Sequence, residues 1–337
     1  MNQFQKFCCA LVLGAGILAT QSALAQQKSE LSITRQNGIL YLPTHVMEKQ
    51  HLIEKEAAKL GITNLTVNWL TFNGGGAQTD ALLAGGVDIV NTGVGNLLLL
   101  WDRTRGGIKG IITISAQPVI LISRNPKIKT IKDFGPNDKI AVPTVKISTQ
   151  AILLQMAAAK AYGPDQLNRL DANTVQLGHP DAAAAMGVAN HEVTSHFSAP
   201  PYQYMELKSV PGAHIVLQSS DVIGGPLTQG QFFTTTKFAD ANPKLIEALK
   251  AATVEAIAFI KQDPRAALQI YKDVTKDKTP LDDLVELMKQ PGMMDFTPTP
   301  HGTMKFAAHL HKTGTLKTMP KAWSDYYLPS SKNLNGD

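Results

Sequence analysis

The stretch AVPTVKISTQAILLQ, residues 141–155, gathers three hydroxyls and a cation where an apolar strand gives way to an apolar helix: Thr144, Lys146, Ser148 and Thr149. A helix start carries unpaired backbone N–H groups and the positive end of the helix dipole, so such a junction can hold an anion or a strongly polar group. The same residues also suit plain structural work. Ser148 fits an N-cap that accepts a bond from its own helix, and Lys146 fits a solvated lysine. Three further junctions share the small, polar, uncharged character. Asn37 and Gly38, with Ile39 and Tyr41 just beyond, follow LSITR; Phe72, Asn73, Gly74 and Gly75 close LTVNWLTF and open the next helix; Thr92 and Gly93 close VDIVNTG. In open α/β sheets, ligands settle beyond the carboxyl ends of the strands, where these junctions gather.

Catalytic chemistry finds little support. The nucleophile elbow Gly-x-Ser-x-Gly does not occur, and Ser115, Ser148 and Ser198 lack its glycine setting. HEVTSH resembles a zinc-protease motif, but His191 and His196 are five apart. Five residues of helix turn about 500°, which points the two imidazoles about 140° apart. His309 and His311, two apart, diverge as well. The triple glycine of NGGGAQT has neither the spaced dinucleotide fingerprint nor a following Gly-Lys-Ser/Thr. Asp80 and Asp88 read as a helix residue and a strand-entry residue rather than as a carboxylate pair. The expectation is no catalytic residue, no metal and no cofactor.

The first residues point to export. Lys6, the apolar run FCCALVLGAGILA and the small-x-small end TQSALA have the layout of a secretory signal peptide cleaved after Ala25. The run is too short to read as a stable membrane anchor. Gln5, Lys6 and Phe7 before Cys8 do not suit a lipoprotein. Cys8 and Cys9 are the only cysteines and lie in the segment to be removed, which excludes disulfides, thiolate metal sites and a cysteine nucleophile from the remainder. Net charge is +5, spread without a run of five basic residues, so nucleic acid is not expected as a partner.

Short apolar runs alternate with amphipathic stretches along the chain, the pattern of an α/β protein with largely parallel sheets. About ten strands are readable. Residues 44–61 read as one helix ending at the C′ glycine Gly61, residues 149–162 as a helix closed by Gly163 and Pro164, and everything after Pro243 as helical. Ten strands are many for one sheet, and turn formers bound the middle third. The expected division is therefore a first lobe of residues 26–121 and 227–337 around a second lobe of residues 122–226, joined by two connecting strands.

With these junctions in view, the chain resembles the solute-binding proteins of ABC importers in the nitrate/sulfonate/taurine family, which also includes binders of the thiamine pyrimidine precursor. The resemblance runs through GILYLPTHVMEKQHLIEKEAAKLGI, VNWLTFNGGGAQTDALLAGGVDIVNTGVGNLLLLW, KIAVPTVKISTQAILLQMAAAKAYG and the distal GGPLTQGQFFTTTKFADANPKLIEALKAATVEAIAFIKQDPRAA. ALLAGGVDIVNTG is its most specific piece. It implies a type II periplasmic-binding-protein fold, two α/β lobes joined by two hinge strands, closing on a small-molecule solute. It further implies a periplasmic monomer that delivers to a membrane permease and its ATPase.

The family's ligand positions fall on Asn37, Gly38 and Ile39, on Asn73, Gly74 and Gly75, on Thr92 and Gly93, on Thr144, Lys146, Ser148 and Thr149, and on His196, Phe197 and Ser198. The sulfonate and taurine branch commonly carries a tryptophan-aspartate stretch at the last turn, where this chain reads SHFSAPP. The cysteine cluster of the pyrimidine-precursor proteins is absent. A small organic anion suits the helix starts and Lys146; a neutral heteroaromatic stacked on Tyr41, Phe72 or Phe197 is the alternative, and an enzyme on the same fold is a third reading.

Overall fold

A computed structural model describes residues 28–337; the expected signal peptide lies outside the described residues. Ten strands form two sheets: β1 (Glu30–Arg35), β2 (Thr66–Thr71), β3 (Ile89–Thr92), β4 (Ile108–Ser115), β5 (Ile120–Ser123), β6 (Lys139–Val142), β7 (Thr174–Gln176), β8 (Val193–Ser198), β9 (His214–Gln218) and β10 (Gly230–Thr235). The first sheet has the order β2-β1-β3-β10-β4 and the second β7-β6-β8-β5-β9. Pairings of β1 with β2 and β3, and of β6 with β7 and β8, are parallel, whereas β10 and β5 run antiparallel to both of their neighbours.

Strand character follows position in the sheets. The runs IVNT of β3 and ILIS of β5 are buried along their whole length, as strands covered on both faces must be. β2 pairs only with β1 and stays largely exposed, which its threonines and asparagine tolerate at a sheet edge. The helix Thr149–Tyr162 starts as its residues imply: Ser148 Oγ accepts from the Ala151 N–H at 3.2 Å, and Gly163 ends the helix at φ 105°.

Two helical expectations are corrected. Residues 44–61 do not form one helix: Leu42–Lys49 and Leu52–Lys59 are separated at His51, which takes φ 53°. Six residues of unbroken helix turn about 600°, placing Leu52 about 120° from Val46. The break lets both side chains be fully buried. The segment after Pro243 is not helical throughout. The helices Pro243–Gln262, Pro264–Thr275, Leu281–Met288 and Thr303–Lys312 are interrupted over residues 289–302, where Pro291, Pro298 and Pro300 remove backbone donors.

The chain crosses between the sheets twice. It leaves β4 for β5 through residues 116–119 and returns from the short helix Ser219–Ile223 to β10 through residues 224–229. These crossings are tied to the strands beside them. The Ser219 N–H donates to Val119 O at 2.9 Å, the Val119 N–H to Ser219 Oγ at 3.1 Å, and the Gln229 N–H to Ser115 O at 2.9 Å. Two adjacent, hydrogen-bonded crossings form the kind of hinge about which two lobes can rotate.

Candidate functional site

The carboxyl ends of the parallel strands in both sheets face a common cleft. After β1 come Gln36, Leu40 and Tyr41; after β2, Gly75; after β3, Thr92, Gly93 and Asn96; and Gln229 arrives from the second crossing. The opposite lobe supplies Pro143, Ser148, Thr149 and Gln150 after β6, and His179 after β7. These residues enclose a cavity of about 20 Å³ open to the centre of a water-sized sphere, room for one or two waters. Wider grooves lie elsewhere on the surface; this cavity joins both lobes at strand ends.

Four helix starts surround it: Gly75–Leu83, Val94–Arg103, Thr149–Tyr162 and His179–Gly187. Three of them are preceded by Gly74, Gly93 and Gly178, which bring no side-chain acceptor, so their first-turn N–H groups are left for other partners. Side chains add to this surplus of donors. Asn96 Nδ2, Gln229 Nε2 and Thr149 Oγ1 are buried without a hydrogen-bond partner. Buried polar groups are nearly always paired, and these three are groups that acceptor atoms could satisfy. Among the described residues, no side chain of Asp, Glu, Lys or Arg lines the cavity.

The lobes meet through glycine. A Cβ on Gly95 would lie 2.6 Å from Ile147 O; one on Gly178 would lie 2.7 Å from Asn73 O; one on Gly93 would lie 2.4 Å from Thr149 Oγ1. Each contact crosses the cleft. Gly38 backs onto Pro200 O, and the neighbouring Ile39 N–H donates to that oxygen at 3.0 Å. The lobes are therefore closed on each other.

Behind one wall lies a buried polar chain. Gln150 Nε2 is 3.4 Å from His179 Nε2, His179 Nδ1 is 2.9 Å from His196 Nε2, and His196 Nδ1 is 2.6 Å from Glu206 Oε1. Ser198 Oγ donates to the same carboxylate oxygen at 3.3 Å. Tyr202 stacks on His179 with ring centroids 6.1 Å apart. Burial first, and then the neighbouring His196, hold His179 well below the ordinary imidazole range.

Six of the residues singled out in the sequence line the cavity: Tyr41, Gly75, Thr92, Gly93, Ser148 and Thr149. The others stand apart from it. Gly38, Ile39, Gly74 and Thr144 lie on or beside the seam between the lobes. Asn37 is half-buried, Phe72 half-buried and Asn73 exposed, none of them lining the cavity. Lys146 is exposed, in a left-handed conformation with φ 66°, and does not reach the cavity. Phe197 is core, paired with Leu121 across β5 and β8, while His196 and Ser198 serve Glu206. His191 and His196 sit on a loop and a strand, not on a helix.

Gln36, Leu40, Asn96, Pro143, Gln150, His179 and Gln229 also line the cavity and are not singled out in the sequence. LGHPD carried the same signal as the other junctions, a glycine before a helix, and Asn96 is one turn into a helix whose start was recognised. Gln229 sits in a crossing and had no sequence signal.

No family model and no curated protein matches the chain. Solved structures match over nearly its whole length. The alkanesulfonate-binding protein SsuA from Xanthomonas axonopodis pv. citri, bound to MOPS, aligns at 16% identity and TM-score 0.67, covering 90% of this chain and 98% of that one. The nitrate-binding protein NrtA from Synechocystis PCC 6803 aligns at 16% identity and TM-score 0.65, covering 91% and 84%. A protein from Bordetella bronchiseptica RB50 reaches TM-score 0.71 at 17% identity, covering 91% and 97%. The chain has the type II periplasmic-binding-protein fold. Its structural neighbours include the sulfonate and nitrate binders that the sequence resembles. In this fold the two crossings connect the lobes, and the cavity lies between them.

Proposed function

We propose that the chain is the solute-capturing subunit of an ABC importer, an exported monomer that holds a small anion by lobe closure and changes no bond in it. Sequence resemblance and fold both support this reading. The observation that carries it is the cavity itself: three orphaned donors and four helix starts, drawn from both lobes, with no acidic side chain on the wall. An oxyanion can be held by oriented N–H and O–H groups alone, without a formal countercharge. The open protein offers half of these donors on each lobe. A ligand that uses both sets binds the closed form better, and that difference shifts the hinge equilibrium. A permease with its ATPase would then read the closed shape.

The small enclosed volume favours a compact head, such as nitrate, formate or a short sulfonate, over a ring. Of the aromatics considered for a neutral heteroaromatic, only Tyr41 lines the cavity.

A thermal-shift panel of nitrate, carboxylates, methanesulfonate, taurine, pyrimidines and amino acids tests the ligand class. Binding to the native state alone raises the melting temperature with ligand concentration. The expected result is a shift with one of the anions. A shift with a pyrimidine and none with any anion would replace the ligand class.

A further inference from the structure

The buried chain behind His179 has no part in an ordinary two-lobed closure, and its hydrogens can be counted. Glu206 Oε1 accepts from Ser198 Oγ and faces His196 Nδ1, the pattern of a carboxylate receiving two donors. His196 Nε2 is then free to accept from His179 Nδ1, and Gln150 Nε2 donates to His179 Nε2. With one hydrogen placed on each ring and none on Glu206, every hydrogen in the chain points toward Glu206. In this state both rings are neutral and the carboxylate is the only charge. All four ring nitrogens have partners; the outermost, His179 Nε2, meets Gln150, which lines the cavity together with His179.

We infer that the His179–His196–Glu206 chain is a proton-accepting relay, and that capture of an anion in the cavity takes up one proton at His179 Nε2. The inference rests on reading the cavity as an anion site. Closing the lobes over an anion with the relay unloaded would bury two negative charges near each other, which low dielectric makes expensive. One proton from solvent converts the pair of rings to a single imidazolium balanced by Glu206. His179 Nε2 then becomes a donor aimed at the ligand, and Gln150 turns its amide to release it. No bond of the ligand changes.

The titratable groups around His179 fit this role. His196 faces it from β8, and Tyr202 and Glu206 from the helix Tyr202–Ser209; Tyr41 lines the same cavity from the other lobe. Asp181 on its own helix is exposed, Lys139 is half-buried at the far end of β6, and Lys208 pairs with Asp283. None of these supplies a second countercharge at the wall. Burial, and then His196, weaken proton binding at His179, and a nearby anion acts in the opposite direction.

Titration calorimetry with nitrate and with methanesulfonate, each in phosphate and in Tris at neutral pH, reads the proton directly. The observed enthalpy should vary with the buffer's ionisation enthalpy with a slope near one proton taken up. Affinity should strengthen as pH falls, by at most about tenfold per unit. Glu206→Gln should bind without proton uptake and without pH dependence, because no buried charge is left to balance. His179→Gln should bind at least tenfold more weakly and also without pH dependence. Ring-nitrogen NMR of the unaltered protein gives the same answer without a variant: His179 Nε2 bare when empty and protonated when loaded. An anion that binds with no proton exchanged overturns the relay alone. Failure of both anions to bind, with no carboxylate or taurine raising the melting temperature either, overturns the anion reading beneath it as well.

Discussion

Gly95, in the first turn of the helix that follows β3, backs onto the carbonyl oxygen of Ile147 in the opposite lobe, so that a Cβ would lie 2.6 Å from that oxygen. The partner is backbone and cannot swing aside. Gly178 stands in the mirrored position, with its would-be Cβ 2.7 Å from Asn73 O. Neither residue has positive φ among the glycines that do, so close approach, not backbone conformation, requires glycine at both.

Gly95→Ala should therefore separate folding from closure. Alanine is the better helix former by up to about 1 kcal/mol, so ligand-free thermal stability should hold or rise. Closure should lose about 1–3 kcal/mol to overpacking, and calorimetric affinity should drop accordingly. Loss of stability with unchanged affinity would show that Gly95 serves packing within its own lobe.

Thr149 Oγ1 is buried without a protein hydrogen-bond partner. Thr149→Ala removes an orphaned hydroxyl, so ligand-free stability should not fall. A hydrogen bond to a charged ligand is worth about 1.5–3 kcal/mol, and affinity should weaken by that amount. Denaturant unfolding and calorimetry on the same preparation check both signs.

Asn96→Asp places a carboxylate where an orphaned amide now stands. Anion binding should be abolished at concentrations that saturate the unaltered protein. Preserved or tighter binding would indicate a cationic or neutral ligand.

His45 is buried on the helix Leu42–Lys49, and burial, followed by the nearby Arg35 charge, pushes it down to about 3. Unfolded, the imidazole titrates near 6.5. Above that pH neither state binds the proton and the contribution is nil. As pH falls from about 6.5 toward 3, the unfolded chain binds one more proton than the folded one, and stability declines by about 1.4 kcal/mol per unit. His45→Gln should flatten the slope of unfolding free energy against pH in that window. An unchanged slope would assign the acid sensitivity to other groups, of which His309, also lowered by burial, is the next to examine.

Much of the fold is legible because local chemistry and tertiary placement agree. Ser148 and Gly163 bound a helix of the expected extent, and Pro118 separates two strands of different sheets. The pattern of residues 44–61 suits one helix, and only the need to bury both Val46 and Leu52 reveals the break at His51. Six junction residues legible in the sequence line the cavity, and seven further lining residues are not singled out there. Lys146 carries the charge that drew attention, yet its left-handed backbone turns it outward. His179 lacked a visible partner in sequence, since His196 and Glu206 reach it only through the pairing of β6 with β8 and the packing of the following helix.

Small-angle X-ray scattering, with and without a saturating amount of whichever solute raises the melting temperature, tests lobe closure most directly. A smaller radius of gyration on binding, with the solute recovered intact, is the predicted result. A bound solute that leaves the radius of gyration unchanged, or that is recovered as a different compound, would contradict capture by closure.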